Sequence, residues 1–402
     1  MASVAERQHV CVIGNGAVGK LAALALSQAG LSVVLLGAAP SLKKSTDANA
    51  WDVRVFALNR VAQTLLADVK VWDALDLTRV QAVSAMKVAD VRQGGAATSA
   101  ALDFDAYGAH VEELAWIVED KNLNHALDSA LKFAKNVTQV YGTACAMQIK
   151  SDAAEIILSE GGQIQAELLV GADGAQSWLR GQCDIDIDYR SYGQRAIVTN
   201  FACEKPHHGV AHQWFAEELG IIALLPLAGN QVSLVWSAPD ALATQIEQES
   251  LSELAQRLAV FCTAALGALT PLLPEELKSF PLQFLNPRSL IAPRVALVGD
   301  AAHVVHPLAG QGMNLGFADV ADLVAVLSAR ETYRDCGDER VLQRYHRARK
   351  EDIALMQFAT DGLTRVFASD LAAVRFGRQI GMNFLNNFSL LKRKLITHAM
   401  GK

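Results

Sequence analysis

Short apolar runs bounded by glycine mark both ends of this chain, and a long stretch of strand-like alternation lies between them. His9–Ile13 predicts an apolar strand, Leu21–Ala29 recurs at helical spacing, and Leu31–Leu36 predicts a second strand behind Gly30. Ala166–Val170 and Val295–Val298 have the size of buried strands. Val137–Leu158 reads as paired strands ending in the Gly161-Gly162 turn. Ala196–Cys203, Gly220–Leu227 and Gln231–Ser237 predict an antiparallel sheet, with the helix Leu251–Leu266 laid on it. In the predicted helix Leu123–Lys135, the stripe Leu123, Ala126, Leu127, Leu131 and Ala134 faces the core. From Met313 the residues Leu315, Phe317, Ala318, Ala321, Leu323 and Val324 again keep helical spacing, and Val341–Phe367 and Leu371 to the end predict further helices. Residues 59–110 are less periodic, with a loop-like stretch at Gly94–Ala101.

The strand order with its intervening helices predicts an α/β fold of the mixed, α+β kind. At 402 residues, with 51% hydrophobic and 19% charged positions, the chain is globular and long enough for two domains or one elaborated domain. A formal charge of −6 argues against general nucleic-acid binding. Cys11, Cys145, Cys183, Cys203, Cys262 and Cys336 are scattered without a C-x-x-C pair, which predicts free thiols in a reducing compartment. The uncharged stretches Leu21–Leu42 and Leu219–Pro239 are interrupted by Gly30 and Gly37 and by Pro226 and Gly229-Asn230, so neither reads as a membrane span. The opening Met1–Gln8 is short and polar, and no secretory signal is expected. His207, His208 and His212 lack a completing ligand pattern; exposed loop histidines are expected, and no metal site.

Gly14-Asn15-Gly16-Ala17-Val18-Gly19 lies between the first strand and its helix, the context a G-x-G-x-x-G needs to bind a dinucleotide. Gly14 allows the tight turn, Gly16 admits the pyrophosphate, and Gly19 lets helix and strand pack. Taken alone, the motif fits NAD or FAD. The second strand closes on Gly37, where an acid usually binds the adenosine ribose, and no acid follows until Asp47. Loss of such a contact costs roughly 1.5–3 kcal/mol if nothing replaces it. FAD is therefore expected to bind more loosely here, and an acid restored at position 37 is expected to raise its retention.

Further segments carry a family resemblance. Gly299-Asp300-Ala301-Ala302-His303 resembles the second flavin-contacting motif of the aromatic-ring flavoprotein monooxygenases. His306-Pro307-Leu308-Ala309-Gly310-Gln311-Gly312-Met313-Asn314-Leu315-Gly316, with Asp319 behind it, resembles the signature of the FAD-dependent hydroxylases of ubiquinone biosynthesis (the UbiH/UbiF/VisC group). Gly171-Ala172-Asp173-Gly174 is similar to their Asp-Gly motif, and Asp52–Leu58 to a segment whose arginine, here Arg54, lies against the phosphate-ribose region. Asp120 and Lys121 stand where that family has Asn and Arg. Arg344, Tyr345, Arg347, Arg349 and Asp352 resemble its later helix, a packing and capping element.

The resemblance implies a p-hydroxybenzoate-hydroxylase-like fold. Residues 1–75, 111–185 and 286–340 would form a discontinuous, Rossmann-like FAD-binding domain. Residues 76–110 and 186–285 would form a smaller mixed or antiparallel substrate domain, and 341–402 a C-terminal helical region. The implied cofactor ligands are Gly14, Gly16, Ala17, Val18, Gly19, Arg54, Asp173, Gly174, Asp300, Pro307, Gly310, Gly312, Met313 and Asn314, with Pro307 near the reacting face of the flavin. The N–H groups around Gly312-Met313-Asn314 would face the flavin edge and stabilise negative charge on the reduced ring. No side-chain acid or base is singled out.

The implied reaction is hydroxylation of the aromatic ring of a polyprenylated phenol. NAD(P)H reduces FAD, O2 adds at C4a, and the hydroperoxide delivers one oxygen atom. Two rival readings are a catalytically weak flavin-binding scaffold within a quinone-biosynthesis complex, and an NAD dehydrogenase using the first motif alone. Partners would be the substrate, O2 and other ubiquinone-biosynthesis proteins. Beyond Asp370 the charges are all positive (Arg375, Arg378, Lys392, Arg393, Lys394, Lys402) among apolar residues, a pattern suited to an anionic surface. The expected location is cytoplasmic, with peripheral contact at the inner face of the membrane through this basic segment.

Overall fold

The computed structural model describes residues 6–39, 50–91, 97–216, 218–272, 275–306 and 310–367. β1 (Gln8–Ile13), α1 (Ala17–Gln28) and β2 (Val33–Gly37) form the βαβ unit that the opening glycines predict. The chain continues through β3 (Val55–Leu58), α2 (Arg60–Asp68), β4 (Gln81–Val83), β5 (Ala85–Val91), β6 (Ala97–Asp105) and α3 (Ala106–Ala109). Next come β7 (Ala115–Glu119), α4 (Asp120–Leu131), β8 (Val137–Tyr141), β9 (Ala144–Ile149), β10 (Ala154–Leu158), β11 (Gln163–Gly171) and α5 (Trp178–Gln182). The antiparallel region follows as β12 (Ile187–Cys203), β13 (Val210–Ala216), β14 (Gly220–Leu227) and β15 (Gln231–Pro239). Then come α6 (Asp240–Ile246), α7 (Leu251–Leu266), β16 (Leu269–Pro271) and β17 (Lys278–Pro287). The described chain closes with β18 (Ile291–Ala292), β19 (Val295–Leu297), α8 (Gln311–Ser328) and α9 (Glu339–Phe367).

The first sheet runs β18-β19-β11-β1-β2-β8, with β10 and β9 continuing from β11. β1 lies parallel to both β11 and β2, and β11 parallel to β19. Parallel strands covered on both faces need continuous apolar sequence, and Val10, Cys11, Val12, Val33, Val34 and Leu168–Val170 are accordingly buried. The second sheet runs β16-β12-β15-β14-β13-β5-β6, with β17 also on β12. A small third sheet, β3-β7-β4, lies between the motifs in sequence. α7 covers one face of the second sheet: Leu254, Leu258 and Cys262 share a core with Ile222, Leu234 and Trp236. Its start is fixed by a capping box between Ser250 and Glu253.

Several expectations change. The weakly periodic 59–110 stretch contains α2, which Asn59 caps by accepting the Ala62 N–H at 2.9 Å. Ala97–Ala101, expected as loop, opens β6. These residues are too small to show an apolar alternation, so pairing with β5 from Val91↔Ala97 decides their state. His207 and His212 are buried rather than exposed; only His208 is exposed. His207 Nε2 lies 2.8 and 2.7 Å from the Leu227 and Gly229 carbonyls, and its Nδ1 accepts the Gly209 N–H, so this ring ties down a turn. His212 sits in β13 stacked on Trp214, and burial, aided by Lys87, lowers its pKa to about 4. All six cysteines are free thiols. No helix among the described residues is long and apolar enough to cross a membrane. The helix expected from Leu371, and the basic segment on it, lie outside the described residues.

Candidate functional site

Strand register brings the separated motifs together. Gly171 pairs with Ile13 on one side and Leu297 on the other. The turns after β1, β11 and β19 therefore leave the sheet at the same edge, outside the carboxyl ends of parallel strands, where nucleotide ligands bind in this architecture. Gly14, Ala172-Asp173 and Gly299-Asp300 meet there, although hundreds of positions separate the first from the last.

The glycines divide by what surrounds them. A Cβ at Gly14 would stand 2.2 Å from the Ala172 carbonyl oxygen, and one at Gly19 would stand 1.9 Å from the Gly14 oxygen. These two positions are closed by the protein itself. Gly16, Gly174 and Gly312 have nothing within 4 Å of such a Cβ, so space remains above their backbones. Gly16 caps α1 without a side-chain hydrogen bond, so the first-turn N–H groups after it, including Ala17 and Val18, are left for an anion. Gly310 caps α8 in the left-handed region at φ 66°, again with no side-chain cap, and the helix begins at Gln311 rather than Met313.

Arg54 lies on a rigid mount. Its N–H donates to Asp52 Oδ1 at 3.0 Å, while Asp52 N–H and the Arg79 guanidinium both bind the buried Glu119. Asn200 on β12 donates to the Asp52 carbonyl at 2.9 Å, tying this segment to the second sheet. The Arg54 guanidinium stays exposed over the Phe56 ring, within electrostatic reach of Asp120 and Asp300. Burial raises the Asp120 carboxyl, with Arg54 opposing. Asp300 keeps an accessible surface, yet crowding by protein raises its carboxyl too, against His303 and Arg54. Asp173 accepts the Leu179 N–H through Oδ2, and its buried Oδ1 has no partner among the described residues. Arg180 bridges the second and third turns, donating to the Ala175 and Ala301 carbonyls at 2.7 and 2.9 Å.

Asn314 is spent on the protein rather than left open. Its Oδ1 accepts the Asn59 N–H at 2.9 Å and its Nδ2 donates to the Ala57 carbonyl at 2.8 Å. It thereby locks the start of α8 to the segment carrying Arg54. Met313 is half-buried against the core, and Pro307 lies outside the described residues.

Behind the third turn lies a charge cluster that joins the motif residues His303 and Asp319 to Arg349, a residue the resemblance gives only a packing and capping role. Asp319 is fully buried; its Oδ2 accepts the Gly299 N–H at 2.9 Å and faces His303 Nε2 at 2.7 Å, and its Oδ1 accepts Arg349 Nε at 2.7 Å. Burial pushes the Asp319 carboxyl up, but His303 and Arg349 outweigh it and hold the group below its ordinary range. Tyr345 donates to the Leu297 carbonyl at 2.7 Å, so α9 is bolted beneath the Gly299-Asp300 turn. His306, fully buried, reaches the other sheet: Nε2 lies 3.1 Å from Gln194 Oε1, with Tyr192 edge-on at 5.0 Å.

Open glycine backbones, uncapped helix starts, an exposed guanidinium and an orphaned carboxylate oxygen fit a dinucleotide cofactor. The comparisons agree. A family described as an FAD binding domain matches residues 7–357. The chain is 32% identical over 395 residues to the 3-demethoxyubiquinol 3-hydroxylase of Escherichia coli (strain K12), covering 98% of each. It is 33% identical over 400 residues to the ubiquinone hydroxylase UbiL of Rhodospirillum rubrum, covering 98% of this chain and 89% of the relative. The human mitochondrial ubiquinone biosynthesis monooxygenase COQ6 is 30% identical over 437 residues, with 97% and 92% covered.

Among solved structures, p-nitrophenol 4-monooxygenase PnpA of Pseudomonas putida superposes with a TM-score of 0.76 at 18% identity, covering 98% of each chain. Klebsiella pneumoniae HpxO, complexed with FAD and uric acid, gives 0.71 at 17% identity, with 97% and 95% covered. Those likenesses establish the p-hydroxybenzoate-hydroxylase-like fold. This chain therefore belongs to the FAD-binding family of flavoprotein monooxygenases, alongside the hydroxylases of ubiquinone biosynthesis.

Proposed function

We propose that this protein hydroxylates the aromatic ring of a polyprenylated phenol in ubiquinone biosynthesis, consuming NAD(P)H and O2. The observation that carries the cofactor part is the meeting of the Gly14, Asp173 and Asp300 turns at one sheet edge, with open space above Gly16, Gly174 and Gly312. The similarity to hydroxylases of ubiquinone biosynthesis over nearly the whole chain supports the substrate class. FAD, when bound, supplies the redox chemistry that activates dioxygen at the expense of NAD(P)H. The N–H groups at the starts of α1 and α8 would take the pyrophosphate and the electron-rich edge of the ring system. Arg54 would neutralise phosphate, and Asp173 and Asp300 would accept hydrogen bonds from hydroxyl or amide groups of the cofactor. Asn314 would act one step back, by fixing the α8 start.

On the substrate side, β5 and β6 join β12–β17 in one sheet, which supports assigning residues 76–110 and 186–285 to a substrate domain. β4 is the exception, since it pairs with β7 in the small sheet. The His306–Gln194 contact would couple that sheet to the flavin loop.

The test is direct. Purified protein should show flavin absorption bands. With NAD(P)H, labelled dioxygen and a prenylated phenol, it should yield a ring-hydroxylated product carrying one labelled oxygen. Flavin bands without any hydroxylated product would favour the scaffold reading, to which Gly37, Asp120 and Lys121 contribute; absence of flavin would defeat both. A salt-sensitive attachment to anionic vesicles, abolished by reversing Lys392, Arg393 and Lys394, would support the membrane contact.

A further inference from the structure

A Rossmann-type site usually carries an acid at the end of its second strand, where it accepts hydrogen bonds from the adenosine ribose. Gly37 occupies that place here, yet the space beside it is filled. Ile13 pairs with Leu36, and the Gly14 N–H donates to the Leu36 carbonyl at 2.8 Å, so the first glycine turn passes over the end of β2. Asn15 consequently lies on Gly37. A Cβ added at Gly37 would fall 2.4 Å from Asn15 Cγ and 2.6 Å from its Oδ1. Asn15 Nδ2 donates to the Ala38 carbonyl at 2.7 Å. That bond fixes the sense of the amide, because a flipped amide would oppose two carbonyl oxygens. Oδ1 is left as an acceptor to which no described residue donates, beside the point where an acidic side chain would start.

We propose that Asn15 replaces the missing acid as the acceptor for the adenosine ribose of FAD, and that residue 37 is glycine to make room for it. The inference rests on the reading that the chain binds FAD, and it concerns which residue recognises the ribose. A fixed amide oxygen offers a neutral acceptor, so recognition is retained without a negative charge near the pyrophosphate. The two positions then form a unit: Gly37→Glu alone would be strained against Asn15, contrary to the simple expectation that an acid there improves retention.

The experiment measures FAD dissociation constants of the apo-protein by quenching of flavin fluorescence. Ligands are FAD and its analogues lacking the adenosine 2′- or 3′-hydroxyl; proteins are wild type, Asn15→Ala, Gly37→Glu and Asn15→Gly/Gly37→Glu. Wild type should bind at least one deoxy analogue about 3–10-fold more weakly than FAD, the size of a neutral hydrogen bond. Asn15→Ala should bind FAD weaker by the same factor and lose the discrimination. Gly37→Glu should also weaken binding, while the double variant should recover at least wild-type affinity. The wild-type comparison needs no variant to fold. Equal binding of FAD and both deoxy analogues by wild type would overturn the assignment, as would unchanged affinity in folded Asn15→Ala. Failure of wild type to bind FAD at all would instead defeat the cofactor reading on which it rests.

Discussion

The two large sheets place their polar groups in different ways. In the parallel sheet the candidate site lies at strand ends, where glycine turns leave backbone N–H groups open beside a few charged side chains. In the antiparallel sheet side chains make the polar contacts inside the fold: buried Trp236 donates to the Leu219 carbonyl at 2.6 Å, His212 stacks on Trp214, and Gln194 reaches across to His306. Main-chain recognition depends on closeness, so it is destroyed by adding atoms. Side-chain recognition depends on identity, so it is destroyed by removing them. The two halves should therefore fail in different ways.

The largest effect is expected where the parallel half abandons main-chain groups for buried charge. Asp319→Ala leaves Arg349 buried without its main partner and should cost about 3–5 kcal/mol in urea denaturation, with loss of flavin. The same pair predicts an acid limb. The Asp319 carboxyl is held below its ordinary value of 3.8, so its stabilisation is complete above that value and is lost as pH falls through the lower folded pKa. Asp319→Ala should lack this limb; an identical acid profile would contradict the assignment.

Next in size, two glycines separate the protein from its ligand. Gly19→Ala should destabilise apo-protein by about 1–3 kcal/mol, because the added carbon meets the Gly14 carbonyl. At Gly312 an added Cβ has nothing within 4 Å, so Gly312→Val should leave apo stability within about 1 kcal/mol. Its cost should appear instead as less hydroxylated product per NAD(P)H consumed at matched flavin occupancy. Equal coupling in Gly312→Val and wild type would remove that loop from the flavin's surroundings.

On the other sheet, Gln194→Leu withdraws a partner from buried His306 and should cost about 1–3 kcal/mol. Flavin affinity should hold while coupling falls, which makes it the counterpart of Gly19→Ala. Loss of flavin from folded Gln194→Leu would erase the contrast between the sheets.

The smallest change concerns Asp300, whose raised carboxyl works against the fold once ionised. Any stabilisation from its protonated form is complete below 3.8 and lost as pH rises through the higher folded value. Apo Asp300→Asn should therefore be slightly more stable than wild type above that window, and yet hold FAD less well. Melting curves with and without FAD across pH read both; a variant that binds FAD as tightly as wild type would dismiss Asp300 as a ligand.

Sequence alone determined the elements whose signals are local. The βαβ unit, α7 and the glycine turns follow from apolar spacing and from the few residues that such turns tolerate. It also marked Gly14, Asp173 and Asp300 as parts of one site, because each belongs to a recognisable short motif. Where a residue's role depends on a distant partner, local pattern failed. His207 and His212 looked like loop residues because a histidine's burial is set by the sheet around it. Ala97–Ala101 looked like loop because only β5 makes it a strand. The resemblance gives Arg349 only a packing and capping role on its helix, and its carboxylate partner Asp319 stands at the tail of a motif. Only the tertiary structure joined them, since a buried charge persists solely where packing supplies its opposite. The same holds for Asn15 and Gly37: along the chain Gly37 is only a missing acid and Asn15 carries no signal, and parallel register alone puts the amide of one in the space left by the other.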